Sequence, residues 1–265
     1  MKLTILGSGT SHGIPVLNCR CGVCCSPDPR DRRLRSSLYI EGQAGERAVI
    51  DTGPEFRLQG LRANITKLDG VFLTHAHADH VHGLDDLRPF CYDKPMPVYA
   101  NQYTLDELRE RFSYVFKDTQ KGGGKPRITP IIASEPIRIG RLTFTPIPVK
   151  HGVLDILGWS IGEDPGKTAV YLTDTSNIPE DSFRLISKPE AAVIGGLRNS
   201  PHETHFSFAQ ALAAGLRIGA PHIYLTHICH DHSHQEIEAF CRSFQKARNI
   251  AGIMQPGYDG QELLL

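Results

Sequence analysis

The chain has 265 residues, 40% of them hydrophobic and 22% charged, with 29 Lys plus Arg against 29 Asp plus Glu. That length and composition fit a globular protein of one large domain or two small ones, and exclude a disordered or collagen-like chain. A net charge of zero argues against nucleic-acid binding through bulk positive charge, and no run of about 18 apolar residues offers a membrane span. The opening Met1-Lys2-Leu3-Thr4-Ile5-Leu6-Gly7-Ser8-Gly9 lacks the apolar stretch and cleavage pattern of a signal peptide and predicts a first strand.

Further strands are predicted where short apolar runs are bounded by Gly, Pro, Asp or Asn: Leu3–Leu6, Ser37–Ile40, Ala48–Asp51 and Val71–Thr74 in the first half. A helix is expected over Gln102–Phe112. The Gly-rich, polar stretch Tyr114–Thr129, with Gly122-Gly123-Gly124, predicts a flexible insertion that would lie over a site as a lid or substrate-selecting loop. Strands follow at Leu142–Val149, Ile156–Ile161, Ala169–Thr173, Ala192–Gly195 and Ile223–Thr226. Ser207 with Gln210, and Ser233 with Glu236, read as capping boxes opening two amphipathic helices. Their buried faces would be Phe208, Ala211, Leu212, Gly215 and Leu216, and then Ile237, Phe240, Cys241 and Phe244. The expectation is an α/β chain forming one domain over residues 1–265, made of two similar halves whose sheets pack face to face with helices outside.

Histidine is over-represented, with 13 in the chain. The strand pattern Val71-Phe72-Leu73-Thr74 runs directly into His75-Ala76-His77-Ala78-Asp79-His80. On a loop at a strand end, His75 and His77 can chelate one ion while Asp79 and His80 face a second, and the two small alanines leave room for convergence. The bland alternative, a solvated polar loop, explains four ligand-type residues in six positions poorly. Cysteine is the other signal. Of 7, Cys19, Cys21, Cys24 and Cys25 crowd one loop and Cys91, Cys229 and Cys241 are scattered, which is not a disulfide framework. Crowded thiols point to a reducing compartment, the cytoplasm by default, and to a metal.

The H-x-H-x-D-H pattern at His75–His80, followed by Gly83, resembles the signature of the metallo-β-lactamase superfamily. Asp51-Thr52-Gly53 looks like its D-x-G turn, and His151, Asp174 and His227, each just past a predicted strand, look like its remaining ligands. The resemblance covers essentially the whole chain and implies the αββα four-layer fold. It implies His75, His77, His151 and Asp174 on one divalent cation, and Asp79, His80, Asp174 and His227 on the other, as Zn or Mn. His at position 77, where di-iron oxidoreductases of this fold carry Glu, favours hydrolysis.

Cys19-Arg20-Cys21-Gly22-Val23-Cys24, a zinc-binding loop over about 19–24, resembles the PhnP-type cyclic phosphodiesterase branch, as do Gly7–Pro15 and Gly257-Tyr258-Asp259-Gly260. In that branch the cysteines and a histidine just beyond the last active-site ligand hold a structural zinc, which implies Cys19, Cys21, Cys24 and His230 here. Cys25, Asp231 and His232 are alternative fourth ligands. The implied activity is hydrolysis of small cyclic or diester phosphates, such as 1,2-cyclic ribosyl phosphate or 2′,3′-cyclic nucleotides, by a metal-bridging hydroxide. Asp79 and His205 would be the catalytic residues, with His205 as general acid and His202 as runner-up. His82 reads as a surface or supporting residue. The arginines at 30, 32, 33 and 35 read either as a solvated, salt-bridged face or, through Arg35 or else Arg198, as a phosphate grip. A homodimer is implied by the resemblance alone. A tRNase Z-like endonuclease, a thioester or lactam hydrolase, and a non-catalytic zinc protein are the alternatives.

Overall fold

The computed structural model describes residues 1–117 and 124–265. Its centre is built from strands, among them the apolar runs that the sequence marks. They are β1 (Lys2–Gly7), β2 (Ser37–Glu41), β3 (Arg47–Ile50), β4 (Gly70–Phe72), β5 (Met96–Ala100), β6 (Ile128–Ile132) and β7 (Ile137–Ile139). The second half adds β8 (Leu142–His151), β9 (Leu154–Glu163), β10 (Thr168–Leu172), β11 (Ala191–Gly195), β12 (His222–Thr226), β13 (Ile253–Pro256) and β14 (Glu262–Leu264). They form two seven-stranded sheets, ordered β14-β1-β2-β3-β4-β5-β6 and β13-β12-β11-β10-β9-β8-β7. The halves are therefore not self-contained, because the last strand returns to pair antiparallel with the first, Leu3 opposite Leu263.

Alternation along the strands assigns each side chain to a layer. Leu3, Ile5, Leu38, Ile40, Ala48, Ile50 and Phe72 from the first sheet face Phe144, Leu157, Trp159, Ile161, Tyr171 and Val193 from the second. Phe72 lies at the middle of this seam, stacked on Phe144 at 3.8 Å and edge-on to Trp159 at 5.0 Å. The opposite face of the first sheet, including Leu6, Val49, Val71 and Val98, packs beneath helices α1 (Phe56–Arg62) and α3 (Gln102–Arg111). The opposite face of the second, including Val170, Ile194, Ile223 and Leu225, packs beneath α6 (Phe208–Ile218) and α7 (His234–Arg248). The result is a four-layer αββα sandwich. Short helices α2 (Ala78–Val81), α4 (Ser113–Phe116) and α5 (Glu180–Arg184) are also present. No helix among the described residues is long and apolar enough to cross a membrane.

Both expected capping boxes are present, with Ser207 and Gln210, and Ser233 and Glu236, bonding reciprocally. The strands β5 and β6 have no counterpart in the sequence reading because Pro97 and Pro130 interrupt them. Proline costs least at a sheet margin, and β6 is an outermost strand. The flexible insertion expected over 114–129 needs correction at both flanks. Residues 114–116 belong to α4, and residues 128–129 begin β6. Tyr114 donates to Asp85 at 2.8 Å and Arg88 to the Gly124 carbonyl at 2.7 Å. Residues 118–123, including Gly122 and Gly123, lie outside the described residues.

Candidate active site

The site residues leave the sandwich near the places where strands stop. Asp51 follows β3, His75 follows β4 by three residues, His151 closes β8, Asp174 follows β10 by two residues and His227 follows β12. Three of these turns adopt a left-handed backbone: Asp51 at φ 60°, Asp174 at φ 52° and His227 at φ 55°. Such conformations are uncommon for residues with a side chain, and surrounding contacts must hold them. The turns also touch at backbone distance. A Cβ on Gly53 would sit 2.3 Å from the Asp79 carbonyl oxygen, and one on Gly83 would sit 2.1 Å from that of Gly53. Both glycines are needed for the Asp51 turn and the His75–His80 loop to pack together.

Ligand atoms of His75, His77 and His151 form one cluster within 4.8 Å, and those of Asp79, His80, Asp174 and His227 form another. Asp174 also groups with His151 and His205, so its carboxyl lies between the two clusters. All seven residues expected to bind metal are thereby gathered in one place. His205 stacks on His227 with ring centroids 5.0 Å apart, and its Nδ1 lies 3.8 Å from Asp174 Oδ1. His202 is exposed and reaches only the edge of the pocket, its ring 5.2 Å from that of His205. His82 points away, exposed and edge-on to Phe112.

The hydrogen bonds fix which imidazole nitrogen faces the centre. His80 Nδ1 donates to Asp51 Oδ2 at 2.7 Å, which directs Nε2 inward. Thr74 Oγ1 donates to Asp51 Oδ2 and is 3.0 Å from His75 Nδ1, so it accepts from that nitrogen and leaves His75 Nε2 inward. His151 Nδ1 donates to the Thr204 carbonyl at 2.8 Å. These tautomers follow from the network. Asp51, noted in the sequence only as a family turn, is thus the residue that orients two histidines. Its contact to His80 spans 29 positions, which no local pattern reveals.

Three observations fit cations in this pocket. His75 Nε2 and His77 Nδ1 lie 2.9 Å apart, close enough for both to bind one cation. His80 Nε2 is buried without an aligned hydrogen-bond partner, although Asp79 Oδ2 is at 3.1 Å and Asp174 Oδ2 at 3.2 Å. Among the described residues the ion-pair partners of Asp79 and Asp174 are imidazoles, with no lysine or arginine among them. Despite burial, Asp79, Asp174 and Asp51 hold His80 well above the usual histidine range. Against the same burial penalty, His227 and His80 hold Asp174 well below the usual carboxylate range. Burial drives His75 well below its ordinary value and lowers His77 and His227. Neutral nitrogens of His75, His77 and His227 thus stand beside the ionised carboxylate of Asp174, a donor set that suits zinc, manganese or iron, and a cation would replace the proton that the carboxylates hold on His80.

A second cluster lies in the N-terminal loop. Cys19, Cys21 and Cys24 Sγ approach His230 Nδ1 at 3.4, 3.5 and 3.4 Å. A tetrahedron with Zn–S of about 2.3 Å and Zn–N of about 2.0 Å has S···N edges of roughly 3.5 Å, so the four atoms fit a zinc ion. Cys25 is exposed and outside the group. The adjoining arginines do not form a uniform solvated face. Arg30 pairs with Asp28 at the surface, but the Arg33 side chain has 0% exposure. Arg33 donates to the carbonyls of Cys229 at 2.6 Å and His232 at 3.1 Å and to Asp31 at 3.0 Å. Arg35 is occupied by the Ser11 carbonyl and by Glu55. The Arg198 guanidinium reaches the Pro201 carbonyl at 3.5 Å.

The family model for the beta-lactamase superfamily domain matches residues 46–228. A solved structure described as a new diphosphatase from the PhnP family is 37% identical and covers 100% of this chain and 97% of its own, with a TM-score of 0.84. A Porphyromonas gingivalis protein named octanoyltransferase is 38% identical over 268 residues, covering 100% of this chain but 52% of that protein. Coenzyme PQQ synthesis protein B of Methylobacterium radiotolerans is 28% identical over 189 residues, 66% of this chain and 56% of that protein. The chain thus spans about half the length of the curated relatives it matches here. With the sandwich, the strand-end ligand pattern and these similarities together, the chain belongs to the metallo-β-lactamase superfamily, alongside the PhnP-family diphosphatase that it matches from end to end.

Proposed function

We propose that this metallo-hydrolase cleaves small phosphodiesters, cyclic or linear, with a pair of divalent cations that the two ligand clusters would hold. His75, His77, His151 and Asp174 would hold one cation, and Asp79, His80, Asp174 and His227 the other. The observation that carries this reading is the position of the Asp174 carboxyl between two complete ligand clusters. Two cations so held would supply Lewis acidity toward phosphoryl oxygens and a water of lowered pKa, which suits in-line displacement at phosphorus.

The chain's own residues supply the rest. Asp51, through His80 and Thr74, fixes the ligand orientations before substrate arrives. Asp79 brings a second carboxylate to the site, so two negative charges would stand against the charge of a cation pair, and among the described residues no lysine or arginine competes for them. His205, on the loop before α6, lies 3.8 Å from Asp174 and would protonate a departing alkoxide. Burial pushes His205 down to about 3, only partly offset by Asp174. It therefore meets substrate as a neutral ring. A phosphate anion beside it adds the negative charge that favours proton uptake, and that proton is what the leaving oxygen needs.

The full-length similarity to a diphosphatase favours one second reading, cleavage of a diphosphate rather than a diester linkage. The name octanoyltransferase belongs to a protein with about half its length outside the match. The test is a parallel assay of metal-loaded protein on cyclic ribose phosphates, cyclic nucleotides, bis(p-nitrophenyl) phosphate, a diphosphate diester, an acyl thioester and a lactam. Turnover of the phosphodiesters is the expected result. Turnover confined to the thioester or lactam contradicts the proposal, and turnover confined to the diphosphate selects the second reading.

A further inference from the structure

The segments at residues 7–15 and 257–260 stand out in the sequence, yet the chemistry above uses neither. The structure joins them through a buried carboxylate. Asp259 Oδ1 accepts from the backbone N–H of Ser8 at 2.9 Å and from the Ser8 hydroxyl at 2.9 Å, and its Oδ2 accepts from the Leu34 N–H at 2.8 Å. Its side chain is 4% exposed, and among the described residues its ion-pair partner is Arg62, a half-exposed guanidinium 3.4 Å away. Burial pushes the Asp259 carboxyl up to about 6, so an ionised carboxylate at this place is costly and depends on those donors.

The two segments that Asp259 ties are the ones that grip His227. Ser8 accepts from the Ile228 N–H at 2.9 Å and the Thr10 N–H donates to the Ile228 carbonyl at 3.2 Å, so the first segment pairs with the residue after His227. The Gly9 N–H donates to the Leu34 carbonyl at 2.8 Å, which locks the second segment to the first. Thr10 Oγ1 lies 3.1 Å from His227 Nε2, while His227 Nδ1 lies 3.2 Å from Ser36 Oγ and 3.1 Å from Asp174 Oδ2, so Nδ1 is the nitrogen that faces the ligand cluster. Ser36 Oγ also donates to the Gly9 carbonyl at 2.9 Å. Both ring nitrogens of His227 therefore meet hydroxyls delivered by the segments that one carboxylate clamps. The ring sits on a left-handed backbone, a conformation that these contacts must maintain.

We propose that Asp259 is a positioning residue for His227. By clamping Ser8 and Leu34 it sets the orientation of the His227 ring, and thereby the strength with which the cluster of Asp79, His80, Asp174 and His227 binds its cation. The second half of that statement rests on the reading of His227 as a metal ligand. The first half stands on the contacts alone.

The experiment compares Asp259→Ala, Asp259→Asn and the surface control Arg62→Ala with the unaltered chain. Asn keeps an oxygen for Ser8 but sets an NH2 group against the Leu34 N–H, so it removes one arm of the clamp. Imidazole 15N signals are recorded on metal-stripped protein, and zinc and manganese affinities are measured by chelator competition. Asp259→Ala is expected to shift the His227 ring signals while those of His75, His77 and His151 stay in place. It is also expected to weaken one pocket ion by roughly 10–100-fold, with Asp259→Asn intermediate and Arg62→Ala unchanged. A lowered melting temperature with unmoved His227 signals and unchanged ion affinities overturns the proposal, because Asp259 then only holds the chain together. Should Asp259→Ala not fold, Asp259→Asn and Ser8→Ala decide by the same signals. If the unaltered protein binds no ion in the pocket, the metal reading fails, and the His227 signals still decide the positioning role.

Discussion

The histidine–carboxylate pocket and the cysteine cluster share one side of the molecule but hold their side chains by different means. Pocket ligands leave the ends of hydrogen-bonded strands, where the sheets fix the backbone and the interior seam around Phe72 fixes the sheets. The cysteine cluster sits in a segment of turns with little regular structure. Isolated bridges from Gly9 to Arg35 and Ile228, and from Ile14 to Arg33, hold that segment in place. What replaces a sheet there is the buried Arg33, bonded to carbonyls on either side of His230 and to Asp31, which also accepts the His234 N–H. The two clusters are joined within one short run, because His227 faces the pocket and His230 faces the cysteines. A scaffold-built site should tolerate loss of its metals without losing the fold. A loop-built site should not.

That contrast can be broken most sharply at Asp174. Replacing it with alanine should lower turnover by roughly 10³-fold or more, in line with removal of a group on which the whole site depends. Circular dichroism and the cysteine-bound ion should be almost unchanged, since β10 is pinned on both sides. Unfolding of this variant would show that the pocket metals hold the scaffold together, contrary to the comparison.

In the cysteine region the corresponding change is Arg33→Met. It leaves Asp31 buried without its partner, a loss of about 3–5 kcal/mol, to be read by denaturant unfolding. The cysteine-bound ion should exchange with chelator faster while the pocket ions do not. Equal exchange at both clusters would contradict the separate anchoring described here. Cys21→Ser should act in the same direction, because a structural zinc contributes folding free energy. Its melting temperature should fall by roughly 5–15 °C, and turnover of the molecules still folded should persist.

The smallest effect concerns the support beneath the pocket. Asp51→Asn keeps the shape but replaces the acceptor shared by His80 and Thr74 with an amide. Metal affinity is expected to drop by roughly 10–100-fold, and turnover should recover when the metal concentration is raised. Failure to recover would assign Asp51 a part in the chemistry itself.

These expectations draw unequally on what the sequence shows. His75, His77, Asp79 and His80 are legible because four ligands fall within six positions after an apolar strand. His151, Asp174 and His227 are legible through the resemblance to the superfamily, which the predicted strand before each supports, and the two capping boxes are written in local spacing. The contacts that align the site are different in kind. Asp51 to His80 spans 29 positions, Arg33 to Cys229 spans 196 and Asp259 to Ser8 spans 251. Hydrogen bonds of that range leave no periodicity in the chain. Left-handed turns at Asp51, Asp174 and His227 leave none either, since the residues that stabilise them lie elsewhere in sequence. For the same reason the Arg30–Arg35 stretch reads as surface charge although Arg33 is wholly enclosed.

The most direct measurement is the metal content of the purified, metal-saturated protein and of Asp174→Ala, by mass spectrometry of native protein together with elemental analysis. The account predicts about three ions per chain in the unaltered protein, two in the pocket and one on the cysteines, and about one in the variant. Equal ion counts in the two proteins would contradict it, because the carboxylate between the clusters would then hold neither cation.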